Sequence, residues 1–317
     1  MIDLAKLHFV GSELSRPECV LATRSGDIFV SDTRGGASMI RPDGQVVFTK
    51  AKNGPADLFP NGIALMPDRS YLIANLGPSG GVYRLYLNGE LEPILIELEG
   101  KPLPPTNFVS IDWVGRIWVT VSTRLFPREL AVRKNHADGF IVMIDQKGAR
   151  IVADKLGYTN EALVDPTGKW LYVNETFGRC TSRFEIRADG SLGSREIFAE
   201  YGAGTFPDGM AFDAEGGVWI VSIISNRAIR IKLDGKQEIM IEDQTPDVIA
   251  SVEDAYQQNR MTRAEMDAGR SRVLGNLSSL AFGGTDLRKL YFGSLFNKQI
   301  GYVNQNIVGA KPVHWEF

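Results

Sequence analysis

Pro60-Asn61-Gly62-Ile63-Ala64-Leu65 returns, altered, as Pro207-Asp208-Gly209-Met210-Ala211-Phe212. Looser copies of the phrase begin at Glu18, Asn107, Asn160 and Ser278. Each copy leads into a Gly- or Asp-bearing turn and then a β-rich run, such as Tyr71-Leu72-Ile73, Leu171-Tyr172-Val173 or Val218-Trp219-Ile220. The steps between lead residues are 43, 46, 53, 48 and 70. A period of about 40–50 residues made only of strands and turns is the signature of propeller blades. The sequence therefore predicts an all-β, six-bladed β-propeller with four-stranded antiparallel blades, formed by residues 1–317 as a single domain.

The two long steps have visible causes. The step of 53 contains an expanded, charged loop from Thr123 to Asp138 that holds His136. The step of 70 contains Ala250 to Arg272, polar, free of proline and full of helix formers, which reads as one helical insertion between blades five and six. Within blade one, Cys19 to Thr23 reads as the inner strand, Asp27 to Ser31 as the second, Met39 to Arg41 as the third and Val46 to Thr49 as the outer. Asp43-Gly44 turns the chain before the outer strand. Asn88-Gly89, Lys147-Gly148, Asp189-Gly190 and Asp234-Gly235 repeat that turn. Leu7-His8-Phe9-Val10 is expected to close the ring as the outer strand of the last blade, beside Gln299 to Val303, with Val313 to Phe317 adding to the same blade.

Composition narrows the function. Of the 317 residues 44% are hydrophobic, ample for a core, and the formal charge of -3 is spread without a basic stripe, which argues against nucleic acid as a partner. No apolar run approaches the ~18 residues of a membrane span. The chain start lacks a secretory core, and two cysteines, Cys19 and Cys180, are too few for a disulfide framework. A reducing, cytoplasmic setting is expected, with Cys19 as a small buried residue of an inner strand.

A propeller gathers equivalent positions of its blades around one axis, so the lead residues converge on one mouth of the central channel. An Asn in such a turn, taken alone, reads as a backbone cap. As a set, Glu18 and Asp208 supply two carboxylates and Asn107 and Asn160 neutral amide oxygens. All-oxygen sets suit Ca²⁺, Mg²⁺ or Mn²⁺. A cation would also remove the repulsion of two acids facing each other across a narrow channel. Asp208 is the first candidate for general base and His136 the second; Asn107 would position substrate or water. Arg124, Arg128, Arg133 and Lys134 make the long loop a candidate cationic lid for an anionic substrate, against the plainer reading of a solvated loop. Phe59, Phe108, Tyr158, Phe177 and Phe206 sit beside the lead residues or in mouth loops and are candidates for an apolar wall. Trp118, Trp170 and Trp219 read as core, and His8 and His314 as structural.

These phrases resemble the SMP-30/gluconolactonase/luciferin-regenerating family of six-bladed propellers, over almost the whole chain. The pieces that carry the resemblance are Pro17-Glu18, Thr106-Asn107, Asn160 with Leu171-Tyr172-Val173, and Pro207 to Asp213 followed by Gly217-Val218-Trp219. The resemblance implies one divalent cation held by Glu18, Asn160 and Asp208. Ca²⁺ is the first expectation, and Mg²⁺, Mn²⁺ and Zn²⁺ are alternatives. It places Asn107 near metal-bound water or substrate; apart from the resemblance, Asn61, Phe108, Tyr158 and Arg124 are candidate substrate contacts by their places in the phrases and the long loop. The resemblance also implies hydrolysis of a small-molecule lactone by metal-activated water, and the cationic loop adds the expectation that this lactone is anionic. The chain departs from the sugar-lactone pattern at Glu18-Cys19-Val20, where the family often has Glu-Gly-Pro. It departs again at Pro105-Thr106-Asn107-Phe108, where an Arg-x-Asn-Asp often grips the sugar acid, and at Asn160-Glu161, in place of Asn-Gly. Two alternatives stand beside this reading: a phosphotriester hydrolase, and a non-catalytic binding propeller with a structural metal. A condensing enzyme of the related strictosidine-synthase type would need an acid in a late blade, and the Ser278 phrase has none. The helical insertion is expected to cover the mouth or to mediate a dimer.

Overall fold

Each repeat folds into one sheet in the computed structural model, which describes residues 1–317. Six four-stranded antiparallel sheets surround an axis, each ordered from the inner strand outwards. The inner strands are Val20–Ala22, Pro60–Leu65, Thr106–Ile111, Thr159–Val164, Thr205–Phe212 and Leu277–Gly283. Ring closure follows the expectation: His8–Val10 pairs antiparallel with Ile300–Asn304, His8 opposite Tyr302 and Val10 opposite Ile300. The last sheet thus joins the two ends of the chain.

The glycines of the repeated phrase are set by packing between blades. A Cβ on Gly62 would lie 2.4 Å from the Phe108 ring and 2.7 Å from its Cα, and one on Gly209 would lie 2.6 Å from the Ser278 carbonyl oxygen. In both cases the obstacle is the inner strand of the next blade, so a side chain there would push neighbouring blades apart. Blades three and five share a second device. Asp112 accepts from Trp118 Nε1 at 3.0 Å and Asp213 from Trp219 Nε1 at 2.8 Å, and each acid also holds an Arg and the backbone of its turn. Both tryptophans are fully buried between blades, whereas Trp170 is only half-buried.

Two expectations are corrected, and the insertion is resolved into its parts. The third strand of blade one is Gly36–Ile40, starting before Met39, because its turn at Thr33 to Gly35 is tight. The insertion between blades five and six is helical as expected and consists of two helices: α1 spans Pro246–Gln257 and α2 spans Arg263–Met266. Pro246 stands inside the first turn of α1, where a proline lacks no needed hydrogen bond. The tail does not extend the last blade. It crosses the channel mouth opposite the lead residues, with Ala310 N–H bonded to Phe212 O and Arg24 N–H to Trp315 O, and Trp315 is buried in the core. Cys19 and Cys180 are free and buried. No helix is long and apolar enough to cross a membrane.

Candidate active site

Inner strands carry one irregularity each in blades two to six, and it falls on the lead residue. The pairing with the second strand breaks between Pro60 and Ile63, Thr106 and Phe108, Thr159 and Ala162, Pro207 and Met210, and Leu277 and Ser279. A bulge re-aims a side chain that a regular strand would send into the blade. Here it brings Asn61, Asn107, Asn160 and Asp208 to the floor of one cleft together with Glu18. The cleft has a volume of about 500 Å³.

Glu18 is 2% exposed, Asn160 6% and Asp208 4%. Asn61 Nδ2 donates to Glu18 Oε1 at 2.9 Å, leaving Glu18 Oε2 buried without a partner. Asn160 Nδ2 donates to Thr176 Oγ1 at 3.0 Å, and that hydroxyl in turn donates to Pro207 O at 2.8 Å. The chain of donors fixes the amide, so Asn160 Oδ1 is an acceptor with no donor. Burial pushes the Glu18 carboxyl up to about 7, against the pull of Arg16 and of the Asn61 hydrogen bond. Burial, reinforced by the charge of Glu18, raises Asp208 well above the usual carboxylate range. Two buried acids and an unsatisfied amide oxygen on one floor form a hard-cation donor set, and a divalent ion would satisfy all three. No three His, Cys, Asp or Glu side chains group into a cage anywhere in the protein, and this set mixes carboxylates with an amide.

Asn61 and Asn107 form the supporting layer. Asn61 Nδ2 also donates to Asn107 Oδ1 at 2.6 Å, and Asn61 Oδ1 accepts from Arg16 Nη1 at 2.7 Å. Asn107 Nδ2 donates to Ser122 Oγ at 2.9 Å and Thr159 O at 3.2 Å. Both ends of the Asn107 side-chain amide are thus engaged, and Oδ1, having accepted one bond, keeps a second lone pair for a water or substrate hydroxyl.

The walls include Phe59, Tyr158 and Phe177 as expected. Phe108 is not a wall residue. It follows the bulge at Asn107, turns below the floor and lines a separate axial cavity of about 120 Å³ that the tail closes. Phe206 is buried beneath α1. His136 lies away from the cleft lining, with Nε2 2.9 Å from Asp138 Oδ1. Arg124 is also outside: it stacks on Phe140, bonds the Asp138 carbonyl and pairs with Asp154 at 2.8 Å. Of the long loop, Arg128 and Glu129 reach the cleft.

Three residues absent from the sequence reading of the site prove close to it. Arg16 and Arg263 line the cleft, the latter from α2. Glu161, next to Asn160 in the same bulge, turns to the lower cavity beside Cys19, and its Oε2 accepts Met210 N–H at 2.9 Å. The adjacency of Glu161 to Asn160 was the one available signal.

Residues 18–252 match the model of the SMP-30/Gluconolactonase/LRE-like region. A 6-deoxy-6-sulfogluconolactonase of Pseudomonas putida is 26% identical over 220 residues, 68% of this chain. The match spans 62% of that relative's length. Among solved structures, a gluconolactonase from Xanthomonas campestris has a TM-score of 0.67 at 20% identity, covering 94% of this chain and 88% of its own. Regucalcin, a calcium-binding protein from Agrobacterium tumefaciens, has a TM-score of 0.67 at 16% identity, covering 95% and 96%. These two share its fold. With the family model spanning most of the chain and the ring of sheets in place, the protein belongs to the SMP-30/gluconolactonase/LRE-like family.

Proposed function

We propose that this chain is a metal-dependent hydrolase that opens a small-molecule lactone in the cleft above Glu18, Asn160 and Asp208. The observation that carries the reading is the buried floor itself, where Glu18 Oε2 and Asn160 Oδ1 lack any donor beside the Asp208 carboxylate. The names of the P. putida and X. campestris relatives support lactones as the substrate class, and that of regucalcin supports Ca²⁺.

Glu18, Asn160 and Asp208 would hold the divalent ion, which supplies Lewis-acid polarisation of the ester carbonyl. The remaining chemistry belongs to side chains. Asp208 takes the proton of the water as its oxygen bonds to the carbonyl carbon, and returns that proton to the ring oxygen as the ring C–O bond breaks, since His136 stands outside the cleft. Asn107 offers its open Oδ1 lone pair to that water and orients it. Phe59, Tyr158 and Phe177 exclude bulk water from one side of the ring. Asn61 keeps Glu18 and Asn107 in register.

Elemental analysis of the purified protein, then a panel of lactones and one phosphotriester with and without chelator, tests this. Asp208→Ala is expected to lose bound metal and at least ~10³-fold in kcat/KM. Unchanged turnover in that variant removes the mechanism. Metal without turnover of any substrate would instead favour a binding-only propeller.

A further inference from the structure

Arg16, Arg128 and Arg263 come to the same cleft from three separate segments: the approach to blade one, the long loop of blade three and helix α2. Gathering three guanidinium groups is unfavourable unless something negative lies between them. Burial holds Arg16 below its ordinary value against the pull of Glu18, and Arg263 and Arg128 push it further down. Each group is anchored by only part of its donor set. Arg16 uses Nη1 on Asn61 and stacks over Phe59 at 5.2 Å. Arg128 uses Nε on the Tyr158 hydroxyl at 2.8 Å and stacks over that ring at 5.2 Å. Arg263 uses Nε on the Asp267 carboxylate at 2.8 Å, an ion pair that takes up part of its charge and leaves both Nη groups unused. An Arg carries five N–H donors, so the rest of each fork is free for a ligand.

The acids of the cleft offset this charge only in part. Glu18 and Asp208 are balanced once a divalent ion is bound. Asp57 stays anionic, with both oxygens tied by Ser79, whose N–H and hydroxyl donate at 2.6 and 2.7 Å. Glu129 is on the exposed rim. We propose that the cleft selects lactones carrying a second, anionic group remote from the ester, and that Arg128 and Arg263 grip that group through their free N–H forks. The proposal takes the lactone-opening reading as given for the reacting end. Arg16 is buried deeper and serves as the fixed positive floor of the grip. The same placement gives α2 its role: its first residue completes the grip, and its capping box, Thr262 with Glu265, holds that residue in place.

The test separates the anion grip from the chemistry. Calorimetry on the Ca²⁺-loaded protein compares a six-carbon aldonate with its analogues bearing a carboxylate or a sulfonate at the far end. The sulfonate is included because it is a poor metal ligand. The acidic analogues are expected to bind about 10-fold or more tighter, falling to within about 2-fold in the Arg128→Gln/Arg263→Gln double variant. Turnover of the matching lactones is measured in parallel, as the ratio of acidic to neutral kcat/KM on each protein, so that a general loss cancels. Equal binding of all three acids by the wild type overturns the proposal, and so does a preference that survives the double variant. Hydrolysis without acid preference leaves the hydrolase reading standing and this one fallen. Acid preference without hydrolysis of any lactone does the reverse.

Discussion

Asn61 shows how much one side chain can organise. It touches Glu18, Asn107 and Arg16 at once, so it sets the donor orientation of the floor from outside the ion's own ligands. Residues in that position commonly tune affinity by ~10–100-fold. Asn61→Ala is expected to weaken Ca²⁺ binding by that factor in a calorimetric titration while the fold melts cooperatively; unaltered affinity would show that Glu18 needs no support. Two lead residues were legible from an Asn-Gly or Asp-Gly pair opening an inner strand, Asn61-Gly62 and Asp208-Gly209, and the other four only from the period of the repeat. Phe108 was misjudged because adjacency to Asn107 was read as adjacency to the cleft. One residue along a strand changes face, and the bulge sends Phe108 below the floor.

At the scale of elements, α1 explains why the insertion belongs to the cleft. Ile249, Val252, Ala255 and Tyr256 form one buried face, packed with Phe177, Phe206 and Ile223 above blades four and five. A salt bridge fastens it. Arg179, buried at 8% exposure, pairs with Glu253 at 2.9 Å and lies 5.2 Å from the Phe206 ring and 5.0 Å from that of Tyr256. Glu253→Gln leaves that guanidinium buried without its counter-charge. The loss is expected to be about 3 kcal/mol, measured by urea unfolding. A change below ~0.5 kcal/mol would mean that α1 is held by its apolar face alone. The helix-former content of this segment was visible in sequence, which left covering the mouth and mediating a dimer as its two roles; α2 lines the cleft. Arg263 is ordinary among many surface arginines until α2 is folded over the mouth.

Across the whole molecule, the chain ends do different work. The N-terminal strand closes the ring, while the tail stoppers the far mouth of the channel. His314 sits in that stopper and faces the lower cavity. Burial alone lowers its imidazole to about 4 from 6.5. The folded state therefore holds it neutral while the unfolded chain protonates near 6.5, so its contribution is complete above pH 6.5 and drains away as pH falls towards 4. The ceiling is about 3 kcal/mol, reduced because the residue is only half-buried. Urea midpoints of wild type and His314→Gln should converge on acidification over this window; parallel curves would place His314 outside the titrating core. The sequence by itself determined the number of blades, the closing strand and the oxygen-bearing lead positions. Those follow from local rules: a period, alternation and turn chemistry repeated six times. Tertiary structure alone decided which side of the floor each neighbour faces, which loop cations reach the cleft and where the tail lies. Those depend on bulges and on segments far apart in the chain, whose meeting has no local signature.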